Sequence, residues 1–296
     1  MEKTFESLTI FEFQERFPDE ESCIKYLAEL RWKDGFVCPH CGGIKYCKGH
    51  KSHVRQCTKC SYLMSPTSGT LFHKVKFSLL KAFYIVYYIS TNKKGISSTE
   101  LSRKLGLRQK TCWLFKQKVM IAMQSNGANK MTGSVEVDET VVGGQEEGVR
   151  GRKNGKKKLV VFAIEKKGRG VSRLYGKVIQ KSSAKELGTF MKDSIDADAT
   201  VKTDNWSGYK PLKNDFPNIK SEYSGKKGEN FSDLHRVIMS FKSWLRGTHH
   251  HVNNLQAYID EYTFRFNRSA MKKGIFENLI NRMIITPPCP YKLFIT

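Results

Sequence analysis

Asp138 in SVEVDETVVGG, Asp204 in ATVKTDNWSGY, and His235 with Lys242 in SDLHRVIMSFKSWLRG bring together two carboxylates, an imidazole and an ammonium. Oxygen and imidazole donors that converge can hold divalent cations, and such sites cut or join nucleic-acid backbones by in-line displacement. Strand alternation puts Glu136 on the face of Asp138 and turns Glu139 the other way. Lys242 follows His235 by two helical turns, about 10 Å along one face. One of the two can therefore bind metal while the other contacts a substrate phosphate. Taken singly, each residue has an ordinary reading: a strand-end Asp caps a turn, a helical His packs, and a Lys carries surface charge. Jointly, in this strand and helix order, they favour chemistry.

A second constellation lies upstream. Cys38-Pro-His-Cys41 and Cys57-Thr-Lys-Cys60 are two CxxC turns fifteen residues apart, the pattern of a four-thiolate tetrahedral Zn2+ site in a small ribbon. Its segment has too few apolar residues to fold without the ion. His40, Cys47, His50 and His53 are read as surface or loop residues. A redox dithiol fits poorly, because two matched pairs are present without a thioredoxin-like context. Lys45, Lys48, Lys51, Arg55 and Lys59 would suit DNA contact, although a purely structural zinc clip explains the ribbon as well.

Composition narrows the partner. The 296 residues carry 51 Lys and Arg against 28 acids, a formal net charge of +23. An excess this large, spread along the chain, points to a polyanion, with double-stranded DNA first. MEKTFESLTIFEF lacks the apolar core and cleavage site of a secretory signal. The most apolar stretch, FSLLKAFYIVYYIS (77–90), is too short to cross a bilayer and reads as a core helix. With cysteines spaced for metal, these features predict a cytoplasmic, nucleoid-associated protein without a membrane role.

The elements that must position these residues follow from periodicity. Residues 1–34 read as a helical lead-in capped at Asp19 and 35–64 as the zinc ribbon. Residues 65–128 read as a helical, helix-turn-helix-like DNA-binding domain, with Arg108, Gln109, Lys110 and Thr111 at the front of a recognition helix. GANKMTG (127–133) reads as a linker. Residues 132–270 form the catalytic domain and 271–296 a C-terminal tail. Within 132–270, three alternating strands precede a helix opened by Ser183 and Glu186 as a capping box, and ATVKTD forms a fourth strand. This predicts an α/β fold of ribonuclease-H-like order, in which the first and fourth strands lie side by side and bring Asp138 beside Asp204. The basic stretch Arg150, Arg152, Lys153, Lys156, Lys157 and Lys158, with Lys226 and Lys227, would hold flanking phosphates.

The chain resembles the bacterial insertion-sequence transposases of the ISXO-like group, zinc-ribbon members of the DDE superfamily. The resemblance rests on Phe17-Pro18-Asp19, Leu30-Arg31-Trp32, CPHCGG, CTKC, Gly69-Thr70-Leu71-Phe72, VDETVVGG, TDNWSGY, LRGTHHHV and YIDEYTFRFNR. It implies an enzyme that cuts element ends and joins them to target DNA, working as a homodimer or higher assembly. Asp138 and Asp204 would be metal carboxylates, His235 would take the third ligand position, and Lys242 would match the lysine two turns beyond it. A histidine there departs from the three-carboxylate pattern, and Glu229 or Asp233 could supply the carboxylate instead. The implied catalytic ion is Mg2+ or Mn2+, and imidazole favours Mn2+. Three rival readings are a non-catalytic DNA-binding regulator, a nuclease of the same fold that does not join strands, and a decayed transposase.

Overall fold

The computed structural model describes residues 7–125, 127–143, 157–249, 252 and 254–294. The chain divides into two compact units, one built from residues up to Met123 together with those from Met271 onward, the other from Gln124–Ala270.

The first unit opens with α1 (Ile10–Arg16) and α2 (Glu20–Arg31), the latter capped as expected by Asp19, whose carboxylate accepts the Ser22 N–H at 2.8 Å. A small antiparallel sheet follows, β1 (Tyr46–Lys48), β2 (Arg55–Cys57) and β3 (Leu63–Met64) in that order. The apolar stretch forms α3 (Leu79–Thr91), with one side of it buried. Helix does not run from residue 70 as anticipated: Gly69 and Lys74 adopt left-handed backbone, which interrupts it until Leu79. The helix pair appears as α4 (Ser98–Leu105) and α5 (Gln109–Met123), with Gly106 at φ 60° ending α4 in the left-handed conformation that glycine tolerates best.

The segment anticipated as a tail instead carries a helix of this unit's core, which we number α9 (Gly274–Ile285). Phe276, Leu279, Ile280 and Met283 recur at helical spacing and are all buried. The Phe276 ring stands edge-on to Phe13, with centroids 5.7 Å apart, and 5.8 Å from Phe17.

The second unit is a five-stranded sheet. Its strands are β4 (Ser134–Val142), β5 (Lys158–Lys167), β6 (Gly170–Ile179), β7 (Thr200–Thr203) and β8 (Ile219–Ser221), in spatial order β6-β5-β4-β7-β8. β4, β5 and β6 meander antiparallel, and α6 (Ala184–Ser194) returns β7 parallel to β4. This is the ribonuclease-H-like arrangement that the strand order predicted. One sheet face packs Val135, Val137 and Val201 against Leu187, Phe190 and Met191 of α6. The other packs Val160, Phe162 and Ile164 under α7 (Ser232–His249) and α8 (Leu255–Asn267), with Phe162 and Phe241 rings 5.3 Å apart.

Three details refine the expectations. GANKMTG is no free linker: Met131 is fully buried, its N–H donates to the Ser194 carbonyl at 2.9 Å, and Arg173 reaches the carbonyls of Asn129 and Lys130. Ser183 caps α6, but the Glu186 carboxylate turns to the N–H groups of Gln180 and Lys181 instead of closing a box. The edge strand β6 is covered by amides of α8. Asn267 accepts from the Leu174 N–H and donates to its carbonyl, while Gln256 does the same at Val178 and Gly176. Those contacts deny another strand the exposed ladder.

Candidate active site

β4 and β7 pair parallel, with Val137 opposite Thr203. Both of those side chains are buried on the α6 side. Alternation therefore turns Asp138 to the opposite face, and Asp204 follows directly on the last residue of the neighbouring strand β7. Each carboxylate also accepts a nearby backbone N–H, Asp138 from within β4 and Asp204 in the turn after β7. Asp138 accepts from the Glu139 N–H at 2.7 Å, and Asp204 accepts from the Trp206 N–H at 3.0 Å.

α7 lies over this same face and is tied to β4 at two heights. Lys166 bridges Glu136, at 3.3 Å, to Asp233, at 3.0 Å. Farther along, the Lys242 ammonium donates to Thr140 Oγ1 at 2.7 Å. Four strand residues and nine helix residues each span about 13.5 Å, so the two ties are compatible with α7 running alongside β4. Glu136 and Thr140 bracket Asp138, and Asp233 and Lys242 bracket His235.

At roughly 100° per residue, His235 and Lys242 share one flank of α7, whereas Asp233 falls on the other side of its buried stripe. Asp233 is also engaged by Lys166 and by Arg236 at 2.9 Å. Glu229 is exposed in the turn that precedes the helix. The Lys166 pKa is raised, chiefly by its hydrogen bond to Asp233. Burial and then the nearby Lys157 lower that of Lys242.

On the far face of the sheet the sequence reading passed over a pair. Glu139 Oε2 accepts the Tyr209 hydroxyl at 2.8 Å, and Tyr209 is 1% exposed. Burial foremost, then the charges of Asp204 and Asp138, raise the Glu139 pKa against hydrogen bonds from Tyr209 and Ser182. Glu139 was correctly oriented by alternation, but no local pattern announces a partner seventy residues away.

The four cysteines form a separate centre. All their sulfurs lie within 4.8 Å of one another, and the Cys38–Cys60 and Cys41–Cys57 pairs are 3.6 Å apart. A tetrahedron with 2.3 Å zinc–sulfur bonds has edges of about 3.8 Å, so the cage fits that ion closely. The neighbouring residues are occupied elsewhere: His40 stacks on Tyr62, and His53 pairs with Glu21 at 3.1 Å. Among the described residues this is the only group of three or more His, Cys, Asp or Glu ligand atoms so closely gathered. Asp138, Asp204 and His235 do not form such a group.

With this geometry in place, comparison with known proteins is decisive. Residues 130–267 match the ISXO2-like transposase domain, and residues 18–63 match the transposase zinc-ribbon domain. The second unit therefore carries an ISXO2-like transposase domain. It is similar to a protein of the transposable element ISH50 from Halobacterium salinarum, 27% identical over 222 residues, which covers 67% of this chain and 72% of that relative. The transposase-domain match takes in Asp138, Asp204, His235 and Lys242, and the ribbon match takes in all four cysteines.

The transposase also carries the proposed DNA-reading residues. Arg108, Gln109 and Lys110 are exposed at the start of α5, and Thr111 is half-buried. Gln109 donates to Ser98 Oγ, and the Lys110 ammonium sits 5.4 Å from the Tyr291 ring centre. Arg150, Arg152, Lys153 and Lys156 lie outside the described residues, as do the side chains of Lys226 and Lys227. Lys157 and Lys158 lead into β5, with Lys158 opposite Val142. No helix among the described residues is long and apolar enough to cross a membrane.

Proposed function

We propose that this transposase cuts the ends of its insertion sequence and joins them to double-stranded target DNA by two-metal phosphoryl transfer. The observation that carries the reading is the Val137–Thr203 register, since Asp138 and Asp204 each stand one residue past that paired position of β4 and β7. Two oxygen donors on adjacent strands suit Mg2+ or Mn2+.

When bound, the ions supply Lewis-acid stabilisation of the charge that develops at the scissile phosphate. Asp138, Asp204 and His235 would hold the ions in this reading. The flank that His235 shares with Lys242 supports it over Asp233, which is committed to Lys166. Lys242 and Lys157 neutralise flanking phosphates and hold the backbone in line. The ribbon cysteines hold a structural Zn2+, and Arg108 to Thr111 contact the element ends. The enzyme works on the nucleoid in the cytoplasm, as a homodimer or larger assembly that pairs two ends.

Strand transfer with labelled element ends tests this reading. Asp138→Asn and Asp204→Asn should each abolish both cleavage and joining while leaving DNA binding intact. Unchanged product yield would refute it, and nicks without joined products from the parent enzyme would mark a nuclease. Activity should be at least as high in Mn2+ as in Mg2+.

A further inference from the structure

The motif TDNWSGY contains more than one metal-site aspartate, and its remaining residues have a coherent structural use. Beyond the Asp204 turn, the Trp206 indole N–H donates to the Ser182 carbonyl at 2.7 Å. Gly208 passes so near this contact that a Cβ there would lie 2.7 Å from the same carbonyl oxygen and 2.8 Å from the indole nitrogen. Only glycine fits without displacing one of them. The chain then turns Tyr209 into the core, where its hydroxyl reaches Glu139. The peptide after Asp204 is thus fastened to the strand that carries Asp138, from beneath the sheet.

We propose that Glu139 and Tyr209 form a positioning pair that sets the separation and aim of Asp138 and Asp204. The proposal rests on the reading of those two aspartates as metal carboxylates. Glu139 itself faces away from them, toward α6, and its Oε2 is taken by the tyrosine. It acts through the backbone, as residue 139 directly follows Asp138 and Tyr209 closes the loop that follows Asp204. A half-buried carboxylate near two others is costly to retain. Holding the two strand exits in register gives that cost a function, since outer partners of metal ligands typically govern affinity by 10- to 100-fold.

Mn2+ alone, titrated into the full-length zinc-loaded chain and followed by the EPR signal of the free ion, tests the pair without DNA or turnover. Tyr209→Phe should weaken Mn2+ binding at least about tenfold, with zinc content and DNA affinity unchanged. Glu139→Gln keeps an acceptor oxygen and should stay near the parent. Glu139→Met removes the buried charge together with the tie, so it keeps the fold even if Tyr209→Phe does not, and should weaken binding as much. Parental affinity in Tyr209→Phe, or in Glu139→Met where the former is unfolded, overturns the proposal. So does a loss in Glu139→Gln as deep as that in Asp138→Asn, which would make Glu139 a ligand. Parental affinity in both Asp138→Asn and Asp204→Asn would instead sink the metal-site reading, and the pair's role with it.

Discussion

Lys242 and Thr140 meet at 2.7 Å, on the same face of β4 as Asp138 and two residues beyond it. The contact joins a helix to a strand, and it holds the ammonium over the face of β4 that carries Asp138. Lys242→Ala should reduce the rate of strand transfer at saturating DNA by about 100-fold, the scale for losing one fixed electrostatic partner. Thr140→Val removes the tether but leaves the charge, so its loss should stay below tenfold. Equal losses in single-turnover assays would show that Lys242 serves the fold alone.

Lys166 is the other fastening of α7, and its removal should be felt mainly in stability. Glu136 is 4% exposed, so Lys166→Met strands a buried carboxylate. Because the lysine side chain is itself one-third exposed, about 2 kcal/mol is expected, less than the 3–5 of a fully buried pair. Adding Glu136→Gln should restore most of it. Urea unfolding of both variants checks this: no recovery in the double variant would place the loss elsewhere.

The ribbon should depend on its ion. A chelator strong enough to strip Zn2+, or Cys57→Ser, should unfold residues around the four cysteines while leaving the sheet of the second unit intact. Proton exchange of amides in β1 to β3 reads the first effect and those in β4 and β5 the second. Retained protection in β2 of the stripped protein would contradict the cage.

Asp260 predicts a pH dependence. Burial raises its pKa to about 6 against hydrogen bonds from Gln256 and Gln124. The folded state therefore keeps a proton that the unfolded chain releases near its ordinary value of 3.8. Stability should fall as pH rises between about 4 and 6, by roughly 2 kcal/mol. Asp260→Asn should flatten that interval and leave the protein more stable at pH 7. Melting curves across the range decide it, and a parent profile that is level from pH 4 to 6 would count against it.

Much of this molecule was legible in local pattern. The CxxC spacing identified the cage because four thiolates need two tight turns, and the strand order brought Asp138 and Asp204 together because a right-handed crossover leaves little choice. The Asp19 cap and the helix pair were equally visible. What escaped is what sequence distance hides. Glycine and asparagine made GANKMTG look loose, yet the buried Met131 side chain anchors it to the second unit. The Glu139–Tyr209 and Glu136–Lys166–Asp233 contacts join residues that no periodicity relates. The tail was misjudged for a different reason: its 3.6-residue pattern was plain, but nothing in it names the surface it covers.

That last helix has a consequence for how the protein is made. The unit holding the ribbon and the α4–α5 pair draws Phe276, Leu279, Ile280 and Met283 from beyond the sheet in the chain. On the ribosome, the N-terminal half must wait, its aromatic cluster unfinished, while the whole sheet is synthesised and folds. A message cut short after that sheet would leave this core open, and with it the unit that carries the four cysteines.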